Sequence, residues 1–404
     1  MPQRRTDALR VLLLFSDTGG GHRASALALR QELLRRNAHH HVVMDDVLLQ
    51  RAFWPLSESD RIYLWAVNRA PWIWKAIYHS VALPQVYTSI HRTLSPLLAP
   101  RLRRLYDTVR PDLVVSLHPL LNHLPRRVLR QWGAAHGRRH IPFATVITDL
   151  TTFHPSWVDP HVDLITVATE VARDEVVRLG APSARVKVLG LPVRDVFRRV
   201  STDKRALRQA LGLNPEMPLV LVMSGGQGMG PVERIARAIA EARPQAQLAI
   251  VTGRNRFLRE RLQAVRWPIP ARVLGFVEDV HLWMGASDVL VTKAGPGTIA
   301  EAMICGLPMI LYGYVPGQEE GNVSYVVNHG IGTYQEAPDV VANTVRQWLA
   351  TPEKTLIPMS RRAQALAHPD ATVEIVDALE ALVRSGRFLP EGYTRIRPAS
   401  HEVG

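Results

Sequence analysis

A glycine-rich turn between an apolar run and a helical pattern is the most informative segment of this chain. The run 288–292 ends at the turn, and the helical pattern begins directly after it. Such a turn directs backbone N–H groups and the positive end of a helix dipole at one place, which suits a diphosphate. One turn into the helix, Glu301 offers a carboxylate to the two hydroxyls of a ribose. The predicted diphosphate ligands are the backbone groups of Gly295, Pro296, Gly297 and Thr298.

A second glycine-rich loop follows the apolar run 219–223. Two phosphate-binding turns in one half of the chain predict a pocket for a nucleotide diphosphate. Phe276 and Val277 could offer that nucleotide an apolar wall and backbone groups for its base. The glycines of the second loop that we expect to line the pocket are Gly225, Gly226 and Gly228.

A polar segment, 316–322, follows the last predicted strand of the same half. Its side chains Gln318, Glu319 and Asn322 are suitable partners for sugar hydroxyls close to the diphosphate turn. A polar surface loop without a ligand is the alternative interpretation.

The first predicted strand ends at three glycines, Gly19, Gly20 and Gly21, which are followed by His22. The glycines permit a tight turn and leave room for a ligand at the start of the helix. His22 would lie in the first turn of a helix, where the dipole disfavours imidazolium, so we expect a neutral ring able to accept a proton. A purely structural histidine remains the alternative.

The sequence predicts neither a metal nor a cofactor. It lacks an Asp-x-Asp pair, and His39, His40 and His41 are consecutive, so they cannot share one face. The single cysteine, Cys305, excludes disulfides and multi-cysteine metal sites. Charge on a departing diphosphate would therefore be met by backbone N–H groups, helix dipoles and a basic side chain.

Alternating strand and helix patterns must position these residues. Apolar runs predict strands at 10–16, 42–46, 112–117, 143–148 and 164–168, and again at 219–223, 247–252, 271–274, 289–292 and 308–311. Helical patterns between the runs indicate an α/β protein with parallel, doubly wound sheets. A chain of 404 residues suffices for two such domains, with a boundary just after 190–194. Ligands should bind beyond the carboxyl ends of the strands, in the cleft between the domains.

Charge is distributed unevenly between the halves. Residues 1–200 contain 28 Lys and Arg against 16 Asp and Glu, a net +12 of the total +13. An anionic partner is therefore expected for this half, either nucleic acid or a membrane with acidic lipids. Aromatic residues among basic ones at 51–110 favour a segment lying at a membrane interface, although packing within the domain is equally compatible. The tryptophans expected at the membrane are Trp54, Trp65, Trp72 and Trp74.

The absence of an apolar run of about 18 residues argues against a membrane-spanning helix. A first strand that begins near Val11 leaves no room for a cleaved leader. Together with the basic N-terminal half, these observations favour a protein bound peripherally to the cytoplasmic face of a membrane, with nucleic acid as the alternative partner.

A series of motifs lies in order along the chain, at 17–26, 148–150, 154–157, 190–194, 226–233, 252–255, 292–301 and 317–323. In these motifs the chain resembles the monogalactosyldiacylglycerol synthases and, more broadly, glycosyltransferase family 28. The resemblance implies a GT-B fold, with two Rossmann-like domains facing across a cleft. It places the acceptor and membrane-binding domain at 1–198 and the UDP-sugar domain at 199–369, with a C-terminal helix near 370–386 packing back on the first domain.

The resemblance also implies a reaction: inverting transfer of a hexose, galactose favoured, from a UDP-sugar to the free hydroxyl of 1,2-diacylglycerol. It places His22 as the candidate base and Asp149 in the neighbouring acceptor-side motif. It assigns the uracil to Phe276 and Val277, and the sugar to Gln318 and Glu319.

Several alternatives remain open. Plant galactosyltransferases typically have glutamate where this chain has Gln227, which keeps a diacylglycerol glucosyltransferase in view. A transferase acting on a polyprenyl lipid and a sugar-nucleotide epimerase share the architecture. A nucleic-acid-binding protein would fit the basic half but would leave the glycine loops unexplained, so no nucleic-acid partner is expected.

Overall fold

The computed structural model describes residues 8–17, 20–48, 70, 72, 74, 76, 79–80, 84–138, 140–223, 225–226 and 230–385. Four residues of the predicted sites lie outside these ranges: Gly19, Trp54, Trp65 and Gly228.

Two six-stranded sheets, parallel throughout, form the framework. The first has the order β2-β1-β3-β4-β5-β6, and the second has the order β12-β11-β10-β7-β8-β9. The strands of the first sheet are β1 (Arg10–Phe15), β2 (His41–Asp46), β3 (Leu113–Ser116), β4 (Phe143–Val146), β5 (Leu164–Val167) and β6 (Val186–Val188). Those of the second are β7 (Leu219–Met223), β8 (Gln247–Val251), β9 (Ala271–Leu274), β10 (Val289–Thr292), β11 (Met309–Leu311) and β12 (Gly332–Tyr334).

Helices cover both faces of each sheet. In the described part of the chain, no helix combines the length and apolar character needed to cross a bilayer. The helices are α1 (Gly21–Arg36), α2 (Pro84–Val109), α3 (His123–Ala135), α4 (Glu170–Arg178), α5 (Asp195–Arg198), α6 (Lys204–Ala210), α7 (Val232–Glu241), α8 (Arg256–Gln263), α9 (Val280–Ala286), α10 (Pro296–Ile304), α11 (Glu320–Asn328), α12 (Pro338–Ala350), α13 (Leu356–Leu366) and α14 (Ala371–Ser385).

Central strands such as β1, β7 and β10 are apolar runs because both of their faces are buried. In β1, Leu12 and Leu14 pack into the core on one side of the sheet, whereas Val11 and Leu13 pack into the core on the other. The second sheet repeats this alternation, and β7 contributes to a core on each side. Two doubly wound parallel sheets are what the sequence predicts, and this prediction is confirmed.

The C-terminal helix α14 packs against the first sheet, although the chain before it belongs to the second. Ile375 and Leu379 lie in the same core as β1. Arg36 of α1 donates to Asp377 Oδ1 at 2.5 Å and to the Val373 carbonyl at 2.8 Å, which ties α14 to α1. The predicted domain boundary after residue 198 stays a prediction.

The chain passes between the two sheets at two places, which lie side by side. The forward crossing follows β6, and the return crossing precedes α14. The Val193 N–H donates to Thr372 Oγ1 at 2.9 Å, and the Thr372 hydroxyl donates to the Val193 carbonyl at 2.6 Å. A hydrogen-bonded junction therefore joins the two halves where the chain crosses between them.

Each sheet has a point where the strand order reverses. In the first sheet it lies between β1 and β3, and in the second between β7 and β10. Loops that leave neighbouring strands at such a point diverge to opposite faces and open a crevice for ligands. The loops after β1, β7 and β10 contain the predicted glycine turns, so the topology brings each turn to a crevice.

Candidate active site

The turn after β1 places His22 in the first turn of α1. Gly20, the residue before the helix, has φ 87°, a left-handed conformation that glycine adopts without a steric penalty. His22 is buried, and its Nδ1 lies 2.7 Å from Thr148 Oγ1, just beyond β4. The hydroxyl therefore fixes the orientation of the imidazole.

Aromatic rings surround His22. The His118 ring packs edge-on at 4.9 Å between centroids, and the Trp157 ring lies at 5.9 Å. Burial lowers the pKa of His22 to about 4, although the charge of Asp17 and a hydrogen bond to the Leu117 backbone act in the opposite direction. The ring is neutral near pH 7, as the sequence analysis expects, because burial removes water from the charged form.

Asp149 is a buried carboxyl next to the aromatic rings that surround His22. Trp157 Nε1 donates to its Oδ2 at 2.7 Å, so one indole contacts both Asp149 and the ring of His22. Burial raises the pKa of Asp149 to about 7; hydrogen bonds from Trp157 and Gln318 lower it, and the charge of Glu319 raises it. A carboxylate with a pKa near 7 is suited to accept a proton at physiological pH.

Gln318, which hydrogen-bonds to Asp149, belongs to the second half of the chain. The loop before α11 thus reaches the acceptor-side motif of the first half. Asn322 extends this contact, because its Oδ1 accepts from Thr151 Oγ1 at 3.4 Å and its Nδ2 donates to the Ala294 carbonyl at 2.9 Å. Both side-chain groups of Asn322 are engaged by protein, so it joins the two halves at the bottom of the cleft.

The first turn of α11 leaves no space between the halves. A Cβ atom at Gly321 would lie 2.5 Å from Thr152 Oγ1 and 2.6 Å from Thr151 Oγ1. Real Cβ contacts are not this short, so only glycine permits the approach. The cleft is closed at this point.

The diphosphate turn follows β10. Gly295 is the residue before α10, and Pro296 occupies the first helical position, where its missing N–H costs no hydrogen bond. Gly297 and Thr298 complete the first turn, so the predicted backbone donors lie together at the helix start. Glu301, half-buried one turn further on, has a pKa raised to about 7 by burial, an effect that the charge of Arg194 opposes.

The second glycine loop and the predicted base-binding residues are neighbours. A Cβ at Gly226 would lie 3.9 Å from the Phe276 ring, which is 54% exposed. The Arg254 guanidinium lies 4.8 Å from the centroid of that ring. An exposed aromatic face beside the loop is free to stack on a planar base, whereas Val277 packs partly into the core.

Glu319 is held by its own loop. Its Oε1 pairs with Lys293 Nζ at 2.5 Å, and its Oε2 accepts from the Val315 N–H at 2.9 Å. The predicted contact between Glu319 and a sugar hydroxyl stays a prediction.

Of the tryptophans predicted to lie at a membrane, the described residues include only Trp72 and Trp74. Trp72 is 73% exposed and Trp74 is half-buried. Within the described ranges, no group of three or more His, Cys, Asp or Glu side chains is arranged to hold a metal ion.

Sequence reasoning did not single out several residues that the structure places at the site. Thr148, Trp157 and Lys293 lie within the motifs at 148–150, 154–157 and 292–301, so membership of a motif was the available indication. His118 had none, since its contact with His22 arises only when separate strands meet.

Solved structures share this architecture. The chain is similar to MurG of Acinetobacter baumannii, with 14% sequence identity and a TM-score of 0.58. The match covers 92% of this chain and 99% of MurG. CalG4, the calicheamicin glycosyltransferase, gives a TM-score of 0.59 at 17% identity, covering 95% of this chain and all of the other. Two Rossmann-like domains meeting across a cleft define the GT-B class of protein.

The sequence comparisons narrow this class. Residues 22–193 match the family described as monogalactosyldiacylglycerol (MGDG) synthase, and residues 219–375 match the glycosyltransferase family 28 C-terminal domain. The chloroplastic monogalactosyldiacylglycerol synthase of Spinacia oleracea is 40% identical over 388 residues, 94% of this chain and 74% of that protein. The chain belongs to the monogalactosyldiacylglycerol synthase family.

Proposed function

We propose that the protein transfers galactose from UDP-galactose to the free hydroxyl of 1,2-diacylglycerol, with inversion at the anomeric carbon. The observation that carries the proposal is the contact of Asp149 with Gln318 across the cleft. It brings a proton-accepting carboxyl of the acceptor side beside the segment expected to hold the sugar. The family relationship supports the same conclusion, since the relative from Spinacia oleracea is named for this synthase activity.

The reaction is one displacement. The acceptor oxygen forms a bond to the anomeric carbon while the bond from that carbon to the UDP oxygen breaks, and its electron pair leaves with the diphosphate. The hydroxyl proton passes to Asp149, whose pKa is raised to about 7, or to the neutral ring of His22. Trp157 contacts both His22 and Asp149, and the partner of His22 Nδ1, Thr148, directly precedes Asp149 in the chain, so either group can serve the same hydroxyl.

The donor would lie along the second sheet. The turn Gly295–Thr298 would hold the diphosphate, Glu301 the ribose, and Phe276 the uracil, with Gln318 and Glu319 facing the hexose. The backbone N–H groups at the start of α10 support this assignment, because they need no reorganisation to meet the charge that develops on the leaving group.

Neither a metal nor a cofactor is part of the proposal. We expect activity to persist after treatment with EDTA and exhaustive dialysis against metal-free buffer. A loss of activity that Mg²⁺ or Mn²⁺ restores would contradict metal independence.

Acidic lipids at the cytoplasmic face of a membrane are the proposed partner of the basic half, with exposed Trp72 at the interface. Attraction between exposed charges weakens with salt. Binding to vesicles containing acidic lipid should therefore fall as NaCl rises, while binding to duplex or single-stranded nucleic acid should remain weak. Equal binding and activity on neutral and acidic vesicles at low salt would contradict this part of the proposal.

A product assay tests the reaction directly. Purified protein is incubated with diacylglycerol vesicles and separately with UDP-galactose, UDP-glucose or UDP-N-acetylglucosamine, and the lipids are analysed by mass spectrometry and by sugar composition. Galactosyl-diacylglycerol from UDP-galactose is the expected product. Product from UDP-glucose alone would identify a diacylglycerol glucosyltransferase, the alternative that Gln227 keeps open.

Two further outcomes would redirect the assignment. A glycolipid formed only with a polyprenyl acceptor would replace diacylglycerol as the substrate. Conversion of UDP-N-acetylglucosamine without any lipid would indicate an epimerase.

A further inference from the structure

An ion pair lies between the diphosphate turn and the cleft. Lys293 Nζ and Glu319 Oε1 are 2.5 Å apart, and the second oxygen of Glu319 accepts from the Val315 backbone. The Glu319 side chain is 6% exposed, whereas that of Lys293 is 23% exposed. The carboxylate is therefore fixed by the protein, while part of the lysine side chain remains accessible.

The ammonium lies against the diphosphate turn itself. A Cβ at Gly295 would be 3.3 Å from Lys293 Nζ and 3.9 Å from Glu319 Oε1. Of the three N–H bonds of the ammonium, one is donated to Glu319, and the other two find no acceptor among the described residues. A cation with unused donors thus lies within a few ångströms of the backbone expected to meet the diphosphate.

The same ion pair is close to the proposed proton acceptor. Glu319 raises the pKa of Asp149 through its charge, and its neighbour Gln318 hydrogen-bonds that carboxyl. Lys293 therefore lies beside the expected diphosphate turn and is paired with a carboxylate whose charge acts on Asp149. The Lys293 ammonium can offset the negative charges of Glu319 and Asp149 and the charge that develops on the departing oxygen.

We propose that Lys293 binds the diphosphate of the donor and stabilises the departing UDP, while Glu319 holds its ammonium in place. The inference rests on the proposed donor site and deepens it. When the bond between the anomeric carbon and the UDP oxygen breaks, the electron pair remains on the β-phosphate, and Lys293 donates a hydrogen bond to that phosphate. The lysine keeps its proton, so the acceptor's proton still goes to the base.

A purely structural role is the competing explanation, in which Lys293 only anchors the loop at Val315–Glu319. The two roles differ in their dependence on phosphate. A diphosphate ligand gains from the ammonium, whereas a nucleoside without phosphate does not. A hydrogen bond to a charged group is worth roughly 10- to 100-fold in affinity.

The test measures binding of uridine, UMP and UDP by calorimetry to the full chain and to three variants. Lys293→Met should bind uridine as the wild type does and UDP about 10- to 100-fold more weakly. Lys293→Arg should restore most of the UDP affinity, since guanidinium also binds phosphate. Lys354→Met removes the same charge from an exposed residue of the same half and should leave UDP affinity unchanged.

The outcomes separate this inference from the proposed function. Retained uridine binding establishes that Lys293→Met is folded, and its kcat should fall together with its UDP affinity. Equal UDP affinity of the wild type and Lys293→Met would overturn the role of Lys293 and leave the donor site intact. A parallel loss of uridine and UDP binding would assign Lys293 a structural role instead. A wild-type protein without measurable UDP affinity would overturn the donor site and this inference together.

Discussion

At the scale of single residues, Asp149 is an unusual carboxyl because burial raises its pKa to about 7. A general base must be deprotonated, so activity should fall as pH drops below that value. We expect kcat/KM measured from pH 4.5 to 9 to decrease about tenfold per pH unit below pH 7. If the decrease instead begins near pH 4, the pKa of His22, the proton passes to His22 and not to Asp149.

The hydroxyl of Thr148 gives a second prediction at this scale, because it lies 2.7 Å from His22 Nδ1. Thr148→Val keeps the shape but leaves a buried ring nitrogen without its partner, a change that costs about 1–3 kcal/mol. We expect lower kcat and unchanged UDP affinity in Thr148→Val, with activity restored in Thr148→Ser. The decrease in kcat should be smaller than in His22→Ala, for which we expect kcat to fall by roughly two to four orders of magnitude. Full activity of Thr148→Val would mean that the hydroxyl does not position the ring.

At the scale of elements, the first turn of α11 limits how closely the two halves approach. In Gly321→Ala, the added Cβ would meet Thr151 and Thr152 at 2.5–2.6 Å and hold the cleft apart. We expect kcat to fall at least tenfold while UDP affinity stays near that of the wild type, because the diphosphate turn belongs to another helix. Combining Gly321→Ala with Thr152→Ala removes two of the three close contacts and should recover part of the activity. Unchanged kcat in Gly321→Ala would show that the halves need not approach this closely.

The sequence predicts most elements because their patterns are strong. β7, β9 and β10 agree with the predicted bounds. β7 and β10 are apolar runs buried on both faces, whereas β9 is an edge strand that is only partly buried. β6 and β12 were not predicted, because three residues at the edge of a sheet show no periodicity. The central strands could thus be read from the sequence, whereas the shortest edge strands are defined by pairing with their neighbours.

The candidate site likewise contains local features that the sequence predicts and long-range contacts that it does not. Turns such as Gly295–Thr298 are local, so residue types and spacing predict them. Lys293 and Asn322 are different, because their roles depend on partners 26 and 171 residues away. Contacts of that kind arise from tertiary packing, and a single sequence does not specify them.

At the scale of the whole molecule, the buried carboxyl should cost stability. Asp149 has an ordinary pKa near 3.8 when unfolded and a pKa of about 7 when folded, so the folded chain binds more protons between these values. Its contribution to the free energy of unfolding therefore falls as pH rises from about 4 to about 7. We expect Asp149→Asn to be more stable than the wild type by roughly 2–4 kcal/mol at pH 8, and by much less at pH 4.5.

Urea unfolding at the two pH values measures this difference. Glu301, whose pKa is also raised to about 7, remains in the variant and should leave a residual decrease with pH. A gain of equal size at both pH values would indicate that the substitution acts through packing and not through the buried charge.

The hydrogen-bonded junction of Val193 with Thr372 has a consequence for the timing of catalysis. Because both chain crossings meet there, a rotation of one half about this junction would become a larger displacement toward the far mouth of the cleft. A rotation large enough to part Gln318 from Asp149 would admit water to the carboxyl. Its pKa would then return toward that of an ordinary aspartate, and the carboxylate would become a weaker base. The strength of the base would therefore be coupled to closure, and an open enzyme would hold no activated base that could direct water at the donor.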